Sequence, residues 1–208
     1  MILLVMCILL SGISMNGQTN KGNIFLAGSS NLGSYFGKAK YKTTDTKEDL
    51  SKYSSINLDA RAGYFVIDNL VAGLFLDLEY YRNKRIQYDV IYSQSSFTIG
   101  PFARYYFLDL EKFKPFGHAQ VGLGSSCNKT SYSGNESKDK AFYFSYLLGA
   151  GADFFLNERV ALDLLMGYEH EMYRYKYQEG GERANDSEKY IYNSFVVSLG
   201  ILVILGKN

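Results

Sequence analysis

The chain has 208 residues, with 22 basic and 21 acidic side chains, and it holds 19 Tyr, 14 Phe and 20 Gly against 2 Pro and no Trp. Its length suits a single domain, and a net charge of +1 excludes both a broad basic face for nucleic acid and an acidic tail. Abundant aromatic residues and glycine with scarce proline favour strands over long helices, an all-β profile.

The first element is the apolar run at residues 1–14, whose core is 2–10, followed by the small or polar Ser11, Gly12, Asn16 and Gly17. It reads as a secretory signal peptide occupying 1–17, with the mature domain at 18–208. A spanning helix would need about 20 consecutive apolar residues. Cys7 would leave with the signal, so Cys127 would have no partner for an internal disulfide or a cysteine-based metal site.

After residue 18 the dominant pattern is alternation with period two. It recurs in eight segments, with approximate cores at 23–36, 53–66, 70–82, 94–107, 115–127, 141–155, 160–174 and 190–205. The links at 67–69, 108–114 and 156–159 are short, whereas those at 38–52, 82–93, 128–140 and 175–189 are long and polar. Short turns at one end and long loops at the other are the pattern of an outer-membrane barrel.

Parity separates two faces. In the second segment Ile56, Leu58, Ala60, Ala62, Tyr64 and Val66 oppose Asn57, Asp59, Arg61, Gly63 and Phe65, and in the third Leu74, Leu76 and Leu78 oppose Phe75, Asp77 and Glu79. Alternation alone does not say which face is inside. Glycine does, because Gly63, Gly73, Gly100, Gly122, Gly124, Gly149, Gly151, Gly167 and Gly200 fall on the polar face. An eight-stranded barrel is just wide enough for side chains, so large interior residues must be offset by small ones. The polar face is therefore the lumen, and the apolar face is an outer band suited to lipid. Tyr80, Phe97, Phe144, Tyr146, Tyr168 and Phe195 lie toward the long-loop ends of that band, and Tyr64, Tyr105, Phe107 and Phe154 toward the short-turn ends. These are the two interfacial girdles of a membrane barrel. An open sheet edge is excluded in hydrocarbon, so residues 23–26 must meet 197–205 and close the barrel.

The run Gly63-Tyr64-Phe65-Val66-Ile67-Asp68-Asn69-Leu70-Val71-Ala72-Gly73-Leu74, then Gly100-Pro101-Phe102-Ala103-Arg104-Tyr105-Tyr106-Phe107 and Lys114-Pro115-Phe116, resembles the outer-membrane β-barrel domain family of Gram-negative bacteria. The resemblance covers nearly the whole mature chain. It implies a closed, eight-stranded, antiparallel up-and-down transmembrane β-barrel like the OmpX and OmpA membrane domains, and no shared ligand or activity.

Enzymatic chemistry finds little support. His118 falls on the lumen face and His170 lies between Glu169 and Glu171 near the outer rim, too far apart to share a metal. Among barrels of this size, the lipid A deacylase type has a Ser two residues from its His, and here that position after His170 is Met172. The acyltransferase type needs an apolar interior, which Asp59, Arg61, Asp77 and Arg104 would occupy. Gly122-Leu123-Gly124 and Gly149-Ala150-Gly151 lack the further glycine and the helix of a nucleotide site. No catalytic, metal or cofactor residue is assigned.

What the lumen face does carry is charge. Asp59 lies opposite Asp77 with Arg61 diagonal to it and Glu79 on the same face, while Arg104 falls near the level of Asp153 and Asp163 on the other wall. Charges in so narrow a space persist only when paired. The expectation is a structural network of Asp59, Arg61, Asp77, Glu79, Arg104, Asp153 and Asp163, which plugs the barrel together with Phe25, Phe75, Phe102 and Tyr106. The expected role is non-enzymatic, structural or as a surface adhesin or receptor working through the outer loops. A small-solute channel is the alternative, and a lipid A modifying enzyme the last. Expected partners are outer-membrane lipid including lipopolysaccharide and an extracellular ligand or host surface, with no nucleic acid and a monomeric state.

Overall fold

A computed structural model describes residues 19–31, 36–42, 47–86, 90–108, 110–132, 135–179 and 182–206. The expected signal peptide and the tips of the four long links lie outside the described residues. The strands are β1 (Ile24–Asn31), β2 (Phe36–Lys42), β3 (Lys47–Ile67), β4 (Leu70–Arg85), β5 (Val90–Tyr106), β6 (Phe113–Tyr132), β7 (Asn135–Phe155), β8 (Val160–Glu179) and β9 (Glu182–Leu205).

Each strand from β3 to β9 pairs antiparallel with its sequence neighbour. Both β1 and β2 pair with β3, β1 at residues 59–64 and β2 at 47–54, so the two occupy one position in the wall. The sheet closes where β1 meets β9, from Ile24 opposite Leu205 to Asn31 opposite Ser198. The result is a closed eight-stranded antiparallel barrel, and closure satisfies the backbone groups that hydrocarbon would leave unpaired.

The faces divide as parity dictates. Leu74 is 58% exposed while the next residue, Phe75, is 2% exposed. Ile56, Leu58, Ala60, Ala62, Tyr64 and Val66 all face outward, and Asp59, Arg61 and Phe65 are buried inside. Glycine makes room for the interior rings: a Cβ on Gly122 would lie 2.6 Å from Phe75 Cζ, one on Gly151 2.6 Å from Phe116 Cζ, and one on Gly73 2.8 Å from Phe102 Cε1. Aromatic residues of both girdles are exposed, including Tyr80, Phe97, Tyr168 and Phe195 above and Tyr64, Tyr105, Phe107 and Phe154 below.

One expectation needs correction. The long links are not loops over most of their length, because β3, β6, β7, β8 and β9 run through them as strands of 20 to 24 residues. At about 2.5 Å of height per residue, from a strand rise near 3.3 Å and a tilt near 40°, crossing a 25 Å apolar band takes roughly ten residues. About half of each long strand therefore stands above the band.

The opposite end is tightly stitched. The β3–β4 turn is Asp68-Asn69, with Asn69 at φ 66°, a left-handed conformation that Asn tolerates. Residues 19–23 lie across this turn: Asn69 N donates to Thr19 O at 2.8 Å, Lys21 N to Asp68 Oδ1 at 2.8 Å, and Phe65 N to Asn23 O at 2.9 Å. In the β7–β8 turn Asn157 Oδ1 accepts from the backbone N–H groups of Arg159 and Val160 at 2.9 and 2.8 Å.

Candidate functional site

The lumen has two storeys of different chemistry. The lower one is a filled plug centred on Arg104, which is fully buried. Its guanidinium lies 2.8 Å from Asp163 Oδ2 and 3.3 Å from Asp153 Oδ2, and Tyr106 donates its hydroxyl to Asp153 at 2.5 Å. Phe116 and Phe25 flank the cation, their ring centroids 3.7 and 5.0 Å from its central carbon. Arg104 is thus held by two carboxylates and two aromatic rings, surroundings that suit a guanidinium better than an ammonium. Lys114 lies opposite Asp153 in the β6–β7 register and is also buried.

One level higher, Arg61 Nη2 lies 3.0 Å from Asp59 Oδ2. Arg61 Nε donates to Gln120 Oε1, which also lies 3.0 Å from His118 Nε2, and Ser29 donates to Asp59. Phe102 stacks on the His118 ring at 5.6 Å. Phe25, Phe65, Phe75, Phe155, Leu165 and Leu202 fill the remaining space, each no more than 2% exposed.

The upper storey is a cavity of about 350 Å³ walled by Asp77, Glu79, Glu169, Glu171, Tyr143 and Tyr173, with Asn57 and Thr98 among its other neighbours. Tyr143 donates its hydroxyl to Glu171, and Ser96 donates to Glu79 at 3.3 Å. Asp77 Oδ1 is buried and accepts no hydrogen bond from the protein. Although four carboxylates approach this space, no group of three or more His, Cys, Asp and Glu among the described residues is arranged to hold a metal ion.

The structure brings Arg104, Asp153 and Asp163 together, and Arg61 with Asp59. It does not give Arg61 to Asp77 as an ion-pair partner. Asp77 faces Asp59 across the β3–β4 ladder as expected, but the Arg61 guanidinium turns to the carboxylate two residues away on its own strand. Glu79 stands apart from the cations and keeps Ser96. Sequence reasoning left Glu169, Glu171 and Lys114 out of the network, although their parity with Asp163 and His118 puts them on the lumen face. His170 faces outward instead, its Nδ1 2.7 Å from Asn193 Oδ1 and its ring stacked on Tyr146.

Solved barrels resemble this architecture. Neisserial surface protein A is 20% identical, with 88% of this chain and 97% of that one covered and a TM-score of 0.41. The outer membrane protein OprG of Pseudomonas aeruginosa is 13% identical over 92% and 100%, TM-score 0.49. Ail, the attachment invasion locus protein of Yersinia pestis, is 13% identical over 89% and 99%, TM-score 0.43. Comparison with curated protein sequences finds no match. The family model described as the outer membrane protein beta-barrel domain matches residues 5–201. The chain therefore belongs to that family and is a β-barrel protein of the Gram-negative outer membrane.

Proposed function

We propose that this protein is a non-conducting, non-enzymatic barrel that serves as a rigid surface platform, attaching the cell to an extracellular ligand or host surface through its projecting hairpins. The observation that carries this reading is the length of the strands. β9 has 24 residues, and its outward apolar positions from Leu205 to Phe195 account for a membrane band, so the remainder stands as stiff sheet outside the lipid. A hairpin held in a continuous ladder loses little conformational entropy on binding, which favours recognition from its tip and flanks.

The filled lower lumen supports the non-conducting part. Arg104, Asp153, Asp163 and Tyr106 are bonded to one another there and buried among aromatic rings. The histidines support the non-enzymatic part: His118 is bonded to Gln120 inside the plug, and outward-facing His170 has Asn193 rather than a nucleophile beside it.

The test is a series of hairpin deletions, each trimming one pair of projecting strands, displayed on cells and scored for adhesion to epithelial monolayers and immobilised matrix proteins. At least one deletion should abolish adhesion while the barrel stays folded. Unchanged adhesion across the series, or none by the intact chain, would leave the purely structural role. A steady single-channel current from the purified chain would replace the platform by a channel.

A further inference from the structure

Above the plug, the inner and outer faces of the wall carry opposite charge. Lys129, Lys138, Lys140 and Arg174 have outward parity, while Asp77, Glu79, Glu169 and Glu171 line the upper cavity. The strands β4 and β8 lie equally far apart in either direction round the closed wall, β4-β5-β6-β7-β8 one way and β4-β3-β1-β9-β8 the other. Two carboxylate pairs therefore face each other across the width of the lumen, the members of each pair about 7 Å apart along their strand. Glu79 adjoins Tyr80, and Ser96 adjoins Phe97, of the upper girdle. The cavity thus stands at the outer mouth of the barrel, inside the wall and out of reach of the bilayer, with the plug as its floor.

Among the described residues no cation lies within ion-pairing distance of any of these four carboxylates. Arg61, below them, is committed to Asp59 at 3.0 Å. Arg85, of lumen parity on β4, stands roughly 15 Å above Glu79 at about 2.5 Å of height per residue. Two buried polar atoms are also left over. Asp77 Oδ1 accepts no hydrogen bond, and Ser126, fully buried with lumen parity opposite the wall residue Ser96, has a hydroxyl without a partner. Such groups are costly unless a cation or donor reaches them. One metal ion does not meet that need, because among the described residues no three of the carboxylates are arranged to share it. The rest of the wall is aromatic. Tyr143 and Tyr173 have ring centroids 4.6 Å apart, Tyr192 stands edge-on to Tyr173 at 5.7 Å, and Tyr192, 53% exposed, marks the mouth. Higher on the same face the chain already sets a cation against such a ring, Arg85 over Tyr92 at 5.4 Å.

We propose that this cavity is a blind-ended binding site for a linear aliphatic polyamine. Its ammonium groups are shared between the Asp77 and Glu79 wall and the Glu169 and Glu171 wall, and its methylenes lie against the rings of Tyr143, Tyr173 and Tyr192. Anions on two opposed walls call for several cationic groups on one chain, which a polyamine has and a metal ion or a monoamine lacks. Tyrosine rings cover methylenes and attract ammonium groups alike. A volume of about 350 Å³ is at the lower end of the roughly 300 to 1,000 Å³ of small-molecule sites, which suits a thin chain. Because the plug closes the floor, the ligand enters and leaves by the outer mouth and is held rather than passed on. The inference stands on the closed wall and the filled plug, and not on the attachment reading.

The test titrates spermine into the folded full chain in zwitterionic micelles by calorimetry, beside magnesium ion alone and butylamine alone. Spermine should bind saturably at a single site. Magnesium ion and butylamine should bind at least about a hundredfold more weakly, since each charge-assisted hydrogen bond forgone costs roughly tenfold or more. Asp77→Asn with Glu169→Gln removes one charge from each wall and should weaken spermine by about a hundredfold on the same scale. Tyr192→Leu should weaken it by about threefold. Glu136→Gln, at an outward carboxylate held between Lys129 and Lys138, should bind as the parent does, and heat-dependent gel mobility would verify folding in every case. Unsaturable spermine binding, magnesium ion or butylamine binding as tightly as spermine, a paired variant that binds like the parent, or an equal loss from Glu136→Gln would each overturn the proposal. Should the paired variant fail to fold, Tyr192→Leu and the three ligands on the unaltered chain still decide it.

Discussion

Replacing Arg104 by Met is the sharpest probe of the plug. The guanidinium is fully buried, lies 2.8 Å from Asp163 and 3.3 Å from Asp153, and rests 3.7 Å from the Phe116 ring centroid. Met fills much of the volume, so the loss is electrostatic rather than a cavity. Removing one partner of a buried pair costs about 3 to 5 kcal/mol, because an uncompensated charge stays behind. Here two carboxylates are stranded, and the lost cation–π contact adds about 1 kcal/mol, so the upper end of that range is expected. With a urea dependence of about 3 kcal/mol per molar, the unfolding midpoint should fall by roughly 1 to 2 M. The assay is urea titration in phosphatidylcholine vesicles under reversible conditions, followed by heat-dependent gel mobility and far-ultraviolet circular dichroism. Adding Asp153→Asn and Asp163→Asn to Arg104→Met should return most of the loss, since a neutral set can share hydrogen bonds among itself and with Tyr106. A single variant that loses less than about 1 kcal/mol, or a triple variant no more stable than the single, would mean that these groups are hydrated independently.

Leu74→Arg, at a mid-band outward position, should cost about 2 to 4 kcal/mol in the same titration, whereas an effect near zero would mean that this face is not in lipid. Gly122→Ala would place a Cβ 2.6 Å from Phe75 Cζ and 2.5 Å from Thr98 Cγ2. It should cost about 1 to 3 kcal/mol by overpacking, and Phe75→Leu in the same chain should relieve part of this; no relief would show that the clash lies elsewhere. In planar bilayers the purified chain should give no steady single-channel current. Arg104→Met with both Asn substitutions should stay closed as well, because the rings still fill the lower lumen, and a current from the parent would refute the plug.

The transmembrane part was legible because its two faces meet different surroundings. Leu74 and Phe75 are both apolar, yet the glycine positions and the charges at Asp59 and Arg61 told lumen from lipid without coordinates. Above the band both faces meet water, so period two loses its cause. Residues 128–140 and 175–189 then read as polar loop, although 128–132, 135–140, 175–179 and 182–189 belong to strands. Only the strand-forming character of residues such as Thr130, Tyr132 and Tyr175 remains there as a signal, and it is weak. In the lumen, parity and register placed Asp59 against Asp77 and Arg104 near Asp153 and Asp163. The choice of Arg61 between Asp59 and Asp77 depends on side-chain torsions, which no sequence pattern encodes. Glu169 and Glu171 follow from the same parity argument, since both share the lumen face with Asp163.

The seam between β1 and β9 bears on how such a chain is assembled. Its ladder runs from Ile24 opposite Leu205 to Asn31 opposite Ser198, joining two strands that lie far apart along the chain. Without the β1–β9 ladder the wall would be an open sheet with a bare edge on each of these two strands, in a medium that punishes both. Closure is thus the pairing on which the rest of the wall depends, since it alone removes both edges at once. Loss of the last ladder residues would then abolish the barrel altogether, a far larger effect than their small share of the chain suggests.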